Sequence, residues 1–346
     1  MALDEAPPFW WKRPGFFSVL LYPMGFVWGR AAAVRMSLPP DASVSVPVLC
    51  IGNFIAGGAG KTPTAIEFGK AAARRRIPFG YLTRGYGGLY KGPMVVDPEK
   101  HNSSEVGDES LLLAAHRKTV ISADRYAGAS MLVAEGCKLI IMDDGFQNPS
   151  LAKDFSLVVV DAKRGIGNGF SIPAGPLRAP LAAQLGHADA VLVIGDAEAG
   201  DQMIRQVARR GKLLHTARIV AKNTRKWKRK PCLAYAGIAD PEKLFLSLEA
   251  AGALVEVRKS FPDHHAYTDE EAADLVQEAE NRNLQLVTTS KDMARLAGLG
   301  DAQEALASKS EILDVRMDFD DPRTTDLILD ATLAAAEDRL LKERSG

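Results

Sequence analysis

Ile55-Ala56-Gly57-Gly58-Ala59-Gly60-Lys61-Thr62 follows closely on the apolar run Val46-Pro47-Val48-Leu49-Cys50-Ile51. A buried strand, a glycine-rich turn and Gly60-Lys61-Thr62 at a helix start together form a Walker A phosphate loop. Glycine reaches φ/ψ regions where a Cβ would clash, so the backbone N–H groups can curl around phosphate oxygens. Lys61 is placed to reach the β- and γ-phosphates and the Thr62 hydroxyl to bind Mg²⁺. The helix expected from Thr62 points its positive end at the anion. The usual first glycine, five residues before Gly60, is Ile55, so the loop has the GGxGKT form. An apolar strand running into that form argues against a turn with no ligand. The whole loop is the expected nucleoside triphosphate site.

Outward from the loop, short β-branched runs alternate with helical stretches. Pro78 to Thr83, Met94 to Val96, Thr119 to Ile121, Lys138 to Asp144, Phe155 to Asp161 and Ala190 to Ile194 read as strands. Tyr126 to Glu135 reads as a helix. This alternation predicts an α/β fold, a mostly parallel sheet of the P-loop NTPase type with helices on both faces. Ligands of such sheets bind beyond the carboxyl ends of the strands.

Ala221 to Lys230 carries six positive charges around Trp227 and marks a domain junction, either as a solvated face or as a contact for anionic lipid or a phosphorylated substrate. Beyond it, Cys232 to Ala236, Pro241 to Ala251, Val255 to Phe261 and Gln285 to Thr289 outline a smaller α/β domain, with a helix from Asp326 to Glu343. Three units are expected: residues 1–40, a nucleotide-binding and catalytic unit over 41–222, and a C-terminal unit over 223–346.

The N-terminus is basic and aromatic. Between Phe9 and Met36 stand Lys12, Arg13, Arg30 and Arg35 with no acid, and Trp10, Trp11 and Trp28 lie there with Phe9, Phe16, Phe17 and Phe26. The uncharged stretch from Pro14 to Gly29 is 16 residues, short of the ~20 that span a bilayer, and Pro23 and Gly25 weaken it further. Phe17, Leu20, Leu21, Met24 and Trp28 recur near helical period. The segment suits a helix lying in the membrane interface, or one packed on the protein's own core. Ala31-Ala32-Ala33 could end a signal peptide, but a nucleotide loop within 25 residues calls for a cytosolic fold.

Composition excludes little. The 346 residues are 47% hydrophobic and 25% charged, with 43 basic and 43 acidic side chains, so net charge names no partner. Cys50, Cys137 and Cys232 lie far apart beside apolar residues and read as buried thiols, with no CxxC pair for zinc. No nucleic-acid signature and no obligate protein partner is implied.

Leu139-Ile140-Ile141-Met142-Asp143-Asp144 is a Walker B pattern, whose carboxylates hold Mg²⁺ opposite the loop threonine. Asp108 and Glu109 follow Val106-Gly107 in an expected loop, either as acids near a helix N-terminus or as the source of a general base. Arg84, Arg125 and Arg178 stand at turns and strand ends, where a guanidinium could grip phosphate or make a structural ion pair. His264 and His265 are the adjacent histidines after Phe261-Pro262-Asp263. Gly165 to Gly169 lacks a dinucleotide fingerprint and reads as a flexible loop.

In combination these motifs resemble the tetraacyldisaccharide 4'-kinases, the lipid A 4'-kinases of Gram-negative bacteria. The resemblance runs in order through Gly52-Asn53, Gly57 to Pro63, Thr83 to Gly88, Val106 to Glu109, Asp143 to Gln147, Pro173 to Arg178, Ala236 to Ala239, Phe261 to His264 and Thr288 to Asp292. It implies transfer of the γ-phosphate of ATP, with Mg²⁺, to the 4'-hydroxyl of an acylated glucosamine disaccharide 1-phosphate, giving lipid IVA. The site implied lies at the cytoplasmic face of the bacterial inner membrane. By motif, Asp108 matches the family's catalytic acid, His264 the histidine that supports it, and Asp143 and Asp144 the Mg²⁺-proximal pair. Arg125 and Arg178 resemble its phosphate-site arginines. Asn148 departs from the family, which usually has histidine there, and an amide cannot titrate near neutrality. The competing class is a GGxGKT switch or partitioning ATPase. That class often places lysine before the two glycines, where this chain has Ala56, and the Asn-Lys-x-Asp of guanine readers is absent.

Overall fold

The computed structural model describes residues 6–345, so the first five residues of the expected N-terminal unit lie outside them. Helix α1 spans Phe16–Met36 and precedes β1, Val48–Asn53, and α2, Lys61–Arg74. β2 (Phe79–Thr83), β3 (Met94–Val95), α3 (Ser103–Val106), α4 (Asp108–Ala114), β4 (Thr119–Ile121), α5 (Arg125–Ala134) and β5 (Leu139–Asp143) follow. Next come β6 (Phe155–Asp161), α6 (Leu181–His187), β7 (Ala190–Ile194), α7 (Glu198–Arg209) and β8 (Leu213–Ala221). β9 (Pro231–Ala236), α8 (Glu242–Ala250), β10 (Leu254–Ser260), α9 (Asp269–Asn281), β11 (Gln285–Thr288), α10 (Ser290–Leu296) and α11 (Asp301–Lys309) then build a second sheet and its helices. β12 (Ser310–Ile312), β13 (Val315–Phe319) and α12 (Thr324–Ser345) complete the order.

The larger sheet runs β13-β8-β7-β6-β1-β5-β2-β4-β3 among the described residues. It is parallel except where its two edge strands, β13 and β3, pair antiparallel. Its central strands β7, β6, β1, β5 and β2 are buried on both faces, as helices on both sides demand. In β1, Val48 and Cys50 enter one core cluster while Leu49 and Ile51 enter the other. The smaller sheet, β10-β9-β11-β12, is wholly parallel and is likewise covered on two faces. Ile51 of β1 pairs with Asp143 of β5. This register sets the loop that leaves β1 beside the carboxylates that end β5.

The C-terminal boundary differs from the expected one. β13 adds to the edge of the larger sheet rather than the smaller, and α12 packs on α2, β1 and β6. Ile328 and Leu329 complete the core of the larger sheet, and Arg339 pairs with Asp154 at 2.8 Å. The chain leaves the first sheet after β8, builds the second, and returns. Residues from about 315 onward therefore belong with the nucleotide-binding unit.

Helix α1 is continuous through Pro23 and Gly25. Its 21 residues span about 31 Å, close to the ~30 Å of a bilayer's hydrocarbon core. It is long and apolar enough to cross a membrane, and only 17% of its most apolar window is buried. Phe16, Phe17, Leu20, Met24, Phe26, Val27 and Trp28 are all exposed. The face that docks is made of small residues, Ser18, Gly25 and Gly29. They seat on the segment 168–180, where Asn168 donates to the Ser18 hydroxyl at 3.0 Å. Trp10 donates to the Pro173 carbonyl, and Arg164 covers the Trp11 ring at 4.9 Å. So Trp10 and Trp11 pack on the protein itself, whereas Trp28 and most large side chains of α1 point away from it. The Gly165 to Gly169 segment is consequently held, not free: Asn168 also bonds to the carbonyls or amides of Trp10, Phe170 and Ala174.

A Cβ on Gly25 would stand 2.6 Å from the Ser171 carbonyl oxygen and 3.1 Å from the Ala174 Cβ. Gly25→Val should therefore lift α1 from its seat and lower unfolding free energy by about 1–3 kcal/mol. Met24→Ala, next door but exposed, should stay within about 0.5 kcal/mol. Denaturant midpoints of the two variants make the comparison, and equal midpoints would show that the glycine face is not the docking face.

Candidate active site

Gly57 and Gly60 take left-handed φ values of 104° and 91°, a conformation open to glycine at no steric cost. At Gly60 a Cβ would also meet Ile194 at 2.8 Å. The turn is braced from within and without: Asn53 donates to the Gly57 carbonyl at 2.9 Å, and the Ala56 amide donates to the Pro176 carbonyl at 2.8 Å. Ile55 forms a bridge with Leu177, so the second half of the 168–180 segment is the outer wall of the phosphate loop. Gly58 and Ala59 complete the turn, and Gly60 caps α2.

Lys61 and Thr62 open α2 and face the end of β5. The Thr62 hydroxyl donates to Asp143 Oδ2 at 3.0 Å, and Lys61 Nζ lies 3.6 Å from Asp144 Oδ2. The two aspartates are in different states. Asp143 is fully buried, and its Oδ1 has no hydrogen-bond partner. Burial, and then the nearby Glu109 carboxylate, push its pKa up to about 7. Asp144 takes a left-handed φ of 57° and turns its carboxylate onto Arg178, with Nη1–Oδ1 at 2.7 Å and Nη2–Oδ2 at 3.1 Å. Burial opposes its charge, but Lys61 and Arg178 outweigh that and hold it well below the usual carboxylate range. Arg178, expected as a phosphate ligand, thus has its fork occupied by Asp144, and its Nε donates to the Ile55 carbonyl at 3.1 Å. Arg125 lies deeper. It is buried, and its guanidinium donates to the backbone carbonyls of Ser122 and Asp144, which fits a brace beneath the strand end.

Asp143 Oδ1 and Thr62 Oγ1 fit a magnesium ion. An orphaned carboxylate oxygen beside a hydroxyl is an oxygen pair of the kind Mg²⁺ takes when phosphates and water supply its other ligands. No three His, Cys, Asp or Glu side chains converge as a metal cage among the described residues. A site completed by the nucleotide does not need one.

Asp108 is not in a loop. It is the first residue of α4, buried at 3% exposure, and both its oxygens are engaged. Oδ1 accepts from the Glu109 amide at 2.8 Å. Oδ2 accepts from Arg295 Nε at 2.9 Å and Nη2 at 2.6 Å, and faces His264 Nδ1 at 3.2 Å. Glu109 pairs with Lys291 at 2.6 Å and is close enough to Lys61 and Asp143 for their charges to act on one another. Glu109 thus stands between the Asp108–His264 pair and the phosphate loop. His264 has a left-handed φ of 59°, with its amide donating to the Gly237 carbonyl at 3.1 Å. The hydrogen bond to Asp108 raises its pKa above the ordinary histidine value. His265, its neighbour, stacks on Phe261 and bonds Glu271 at 2.8 Å, a structural role at the start of α9.

Other sequence expectations resolve locally. Asn148 Oδ1 accepts from the Ser150 amide at 2.8 Å and so shapes a turn. Arg84 is exposed beyond β2. In the basic run, Lys222 pairs with Asp314, Lys226 and Lys230 pair with Glu311, and Trp227 is buried beneath the two lysines. All three cysteines are free and buried. Arg295 and Lys291 were not anticipated as site residues. Thr288 to Asp292 stood out as a motif, but an arginine three residues past its end carried no sequence signal, with its partner 187 positions upstream.

A loop built to wrap phosphate, facing a carboxylate with an oxygen to spare, defines a phosphate-loop enzyme that acts on nucleoside triphosphates. Residues 17–334 match the family model of the tetraacyldisaccharide-1-P 4'-kinases, and the chain belongs to that family. It is 49% identical to the tetraacyldisaccharide 4'-kinase of Sinorhizobium fredii over 98% of both chains, and 48% identical to that of Rhizobium meliloti over 99% of both. In structure it is similar to the crystal structure of "apo" form LpxK from Aquifex aeolicus in complex with ATP, with a TM-score of 0.70 at 23% identity. That match covers 92% of this chain and all of the other. The family is one of kinases, not of switch ATPases.

The state of Asp143 has a measurable consequence. With its pKa at about 7, the carboxyl is about half protonated at neutral pH, and a cation prefers the carboxylate. Binding of Mg²⁺ with a nucleotide should therefore release a fraction of a proton near pH 7, and progressively less toward pH 9. Calorimetry in buffers of different ionisation enthalpy reads this directly. Release that is unchanged in Asp143→Asn would place the proton on another group.

Proposed function

We infer that this chain transfers the γ-phosphate of ATP to the 4'-hydroxyl of a tetraacylated glucosamine disaccharide 1-phosphate, the step that yields lipid IVA in lipid A biosynthesis. The observation that carries the reading is the convergence of Lys61, Asp143 and Glu109 at one strand end, with the Asp108–His264 pair joined to it through Glu109. Phosphoryl transfer needs little covalent help from the protein. It needs charge at the β- and γ-phosphates, a positioned acceptor, and a group to take the acceptor's proton. Lys61 and the N-terminus of α2 supply the first. The Asp108–His264 pair, brought together from the two sheets, supplies the last.

Thr62 and Asp143 are the residues that would hold Mg²⁺, which when bound offsets phosphate charge. Asp144, tied to Lys61 and Arg178, keeps the cations of the site in register. The exposed apolar surface of α1 suits the cytoplasmic face of the inner membrane, where acyl chains of the substrate stay in lipid while its sugar reaches the site. Arg30 and Arg35 lie toward the helix's end, where contact with anionic headgroups is favourable.

The direct test is ATP consumption with and without the detergent-dispersed lipid disaccharide, with mass analysis of the product. Turnover that ignores the lipid would overturn the reading. Lys61→Ala should lower kcat by about 10²–10³, the scale of one lost electrostatic donor at a transition state, while the fold is unchanged by circular dichroism. Replacing Phe17, Leu20 and Phe26 together with serine should weaken sedimentation with anionic vesicles and raise KM for lipid but not for ATP. Vesicle binding that is unaffected would remove α1 from the membrane.

A further inference from the structure

Arg178 and Arg125 are the arginines the motifs point to, yet neither presents its guanidinium to a phosphate. Arg178 grips Asp144 with both Nη atoms, and Arg125 donates to the Ser122 and Asp144 carbonyls beneath the strand end. A different arginine lies against the phosphate loop. We propose that Arg164, in the turn after β6, is a further catalytic residue of the phosphoryl transfer, whose guanidinium neutralises the charge that develops on the β,γ-bridging oxygen of ATP. This is the role of an arginine finger, supplied in cis. It rests on the kinase reading above and adds a residue to that site.

Position comes first. β6 pairs directly with β1, Val159 beside Asn53, so the turns that leave the two strands lie side by side. A Cβ on Gly57 would have Arg164 Nη1 at 3.8 Å, with no other atom within 4 Å beyond its chain neighbours. Gly57 is the first left-handed residue of the loop whose amides wrap the phosphate chain. Just before it stands Ala56, where partitioning ATPases of the same GGxGKT form often carry a lysine. Arg164 brings a positive charge to that same end of the loop from a neighbouring strand.

Availability is second. The nearby acids are already taken, Asp161 by Lys243 and Asp240 by Lys163 at 3.0 Å. Among the described residues Arg164 forms no ion pair. Its Nη2 donates to the Ala239 carbonyl, which leaves the Nη1 edge for the loop. A guanidinium is charged at every working pH and only donates. Beside an anion-binding loop, one without a carboxylate partner is matched to a phosphate oxygen.

Third, the side chain is held from two sides. The guanidinium covers the Trp11 ring at 4.9 Å, while Ala239 belongs to the loop after β9 of the smaller sheet. That loop also approaches the phosphate loop, since a Cβ on Gly58 would stand 3.7 Å from the Ala239 Cβ. The turn that carries Arg164 is tight: the Gly165 amide donates to the Asp161 carbonyl at 2.8 Å and the Gly167 amide to the Arg164 carbonyl at 3.0 Å. Gly167 has a left-handed φ of 58°, and a Cβ there would meet the Trp10 carbonyl oxygen at 2.5 Å. Trp10 therefore seats the turn and Trp11 seats the guanidinium. An arginine already stacked and bonded loses little freedom when it meets its ligand.

In the step itself, the hydroxyl oxygen bonds to the γ-phosphorus. The bond from that phosphorus to the β,γ-bridging oxygen breaks, and its electron pair leaves with ADP. The hydroxyl proton passes to the Asp108–His264 pair. Arg164 keeps its own protons throughout and donates hydrogen bonds to the oxygen on which negative charge grows. Its contact is therefore stronger in the transition state than in bound ATP, so its loss falls on kcat rather than on KM.

The experiment measures ADP binding to the full chain with Mg²⁺, with and without aluminium fluoride, a mimic of the phosphoryl group in transfer. In the wild type, fluoride should tighten ADP binding by about 10² or more. Arg164→Met should bind ADP within about twofold of the wild type yet lose most of that gain. Its kcat should fall by about 10²–10³, with KM for ATP and for lipid within about threefold. Trp11→Leu, which removes the ring but not the charge, should lower kcat by less. Equal tightening in wild type and Arg164→Met overturns the proposal, as does no tightening in the wild type. So does a loss that appears in ADP affinity and KM while kcat is intact, since that is the mark of ground-state binding or a structural role. Should Arg164→Met fail to fold, Arg164→Gln, which keeps a donor for the Ala239 carbonyl, takes its place with the same expectations. Absence of lipid-dependent turnover in the wild type would sink the kinase reading separately. The fluoride titration needs no lipid and still decides on Arg164.

Discussion

Two ion pairs, the buried Asp108 with Arg295 and the half-buried Glu109 with Lys291, tie α4 of the larger sheet to α10 of the smaller one. The site depends on this tie, because the phosphate loop belongs to one sheet and His264 to the other. As a source of stability such pairs are unremarkable: apolar residues of equal volume would often hold the helices as well. Cutting one partner of the Asp108–Arg295 pair is another matter, since it strands a buried charge at a cost of about 3–5 kcal/mol. What the pairs supply is direction. A guanidinium fork allows few orientations of the carboxylate it grips, and that carboxylate in turn aims a ring at the cleft.

Two of the six described non-glycine residues with left-handed backbone lie at the same place, the other four being Arg76, Asn223, Arg229 and Asn283. Asp144 and His264 both carry left-handed φ values of nearly 60°, unfavourable by about 1–2 kcal/mol for a residue with a Cβ. Each is held by a hydrogen bond from its own amide, Asp144 to the Ile51 carbonyl and His264 to the Gly237 carbonyl. In each case the turn swings a charged or titrating side chain away from the strand and onto its partners, Arg178 and Lys61 for Asp144 and Asp108 for His264. Strain kept in place by surrounding bonds, at two candidate-site residues carried by different sheets, is the pattern expected where geometry serves chemistry.

How much of this the sequence discloses follows from how local each signal is. Phe155 to Asp161 and Ala190 to Ile194 match their strands because both faces of a central parallel strand are apolar, and the run is unbroken. The phosphate loop is legible because its glycines and Lys61 act within eight residues. β13 escaped notice because it is an edge strand with only Met317 buried, so no run or alternation marks it, and the return of the chain to the first sheet went with it. Arg295 escaped because its meaning lies in a contact across two sheets. The motif around Asp108 does point to the right residue, but whether that carboxylate is open or occupied is a property of packing alone.

The N-terminal helix shows the same limit from the other side. Its large apolar side chains suggested the contact surface, yet the residues that dock it are the small ones, Ser18, Gly25 and Gly29, which carry almost no hydrophobic signal. Close approach of backbones is what they allow, and it seats α1 on Ser171 and Ala174. Ser171 bridges to Leu177, Leu177 bridges to Ile55, and the Pro176 carbonyl receives the Ala56 amide. From α1 to the phosphate loop the connection is therefore backbone against backbone, with Arg178 leaving the same segment to grip Asp144. Large exposed apolar side chains and a backbone path into the site occupy opposite faces of one helix. With small residues on the docked face and large apolar ones on the exposed face, α1 has no polar side to mark where it contacts solvent, which accounts for a helix whose composition alone resembles a membrane span.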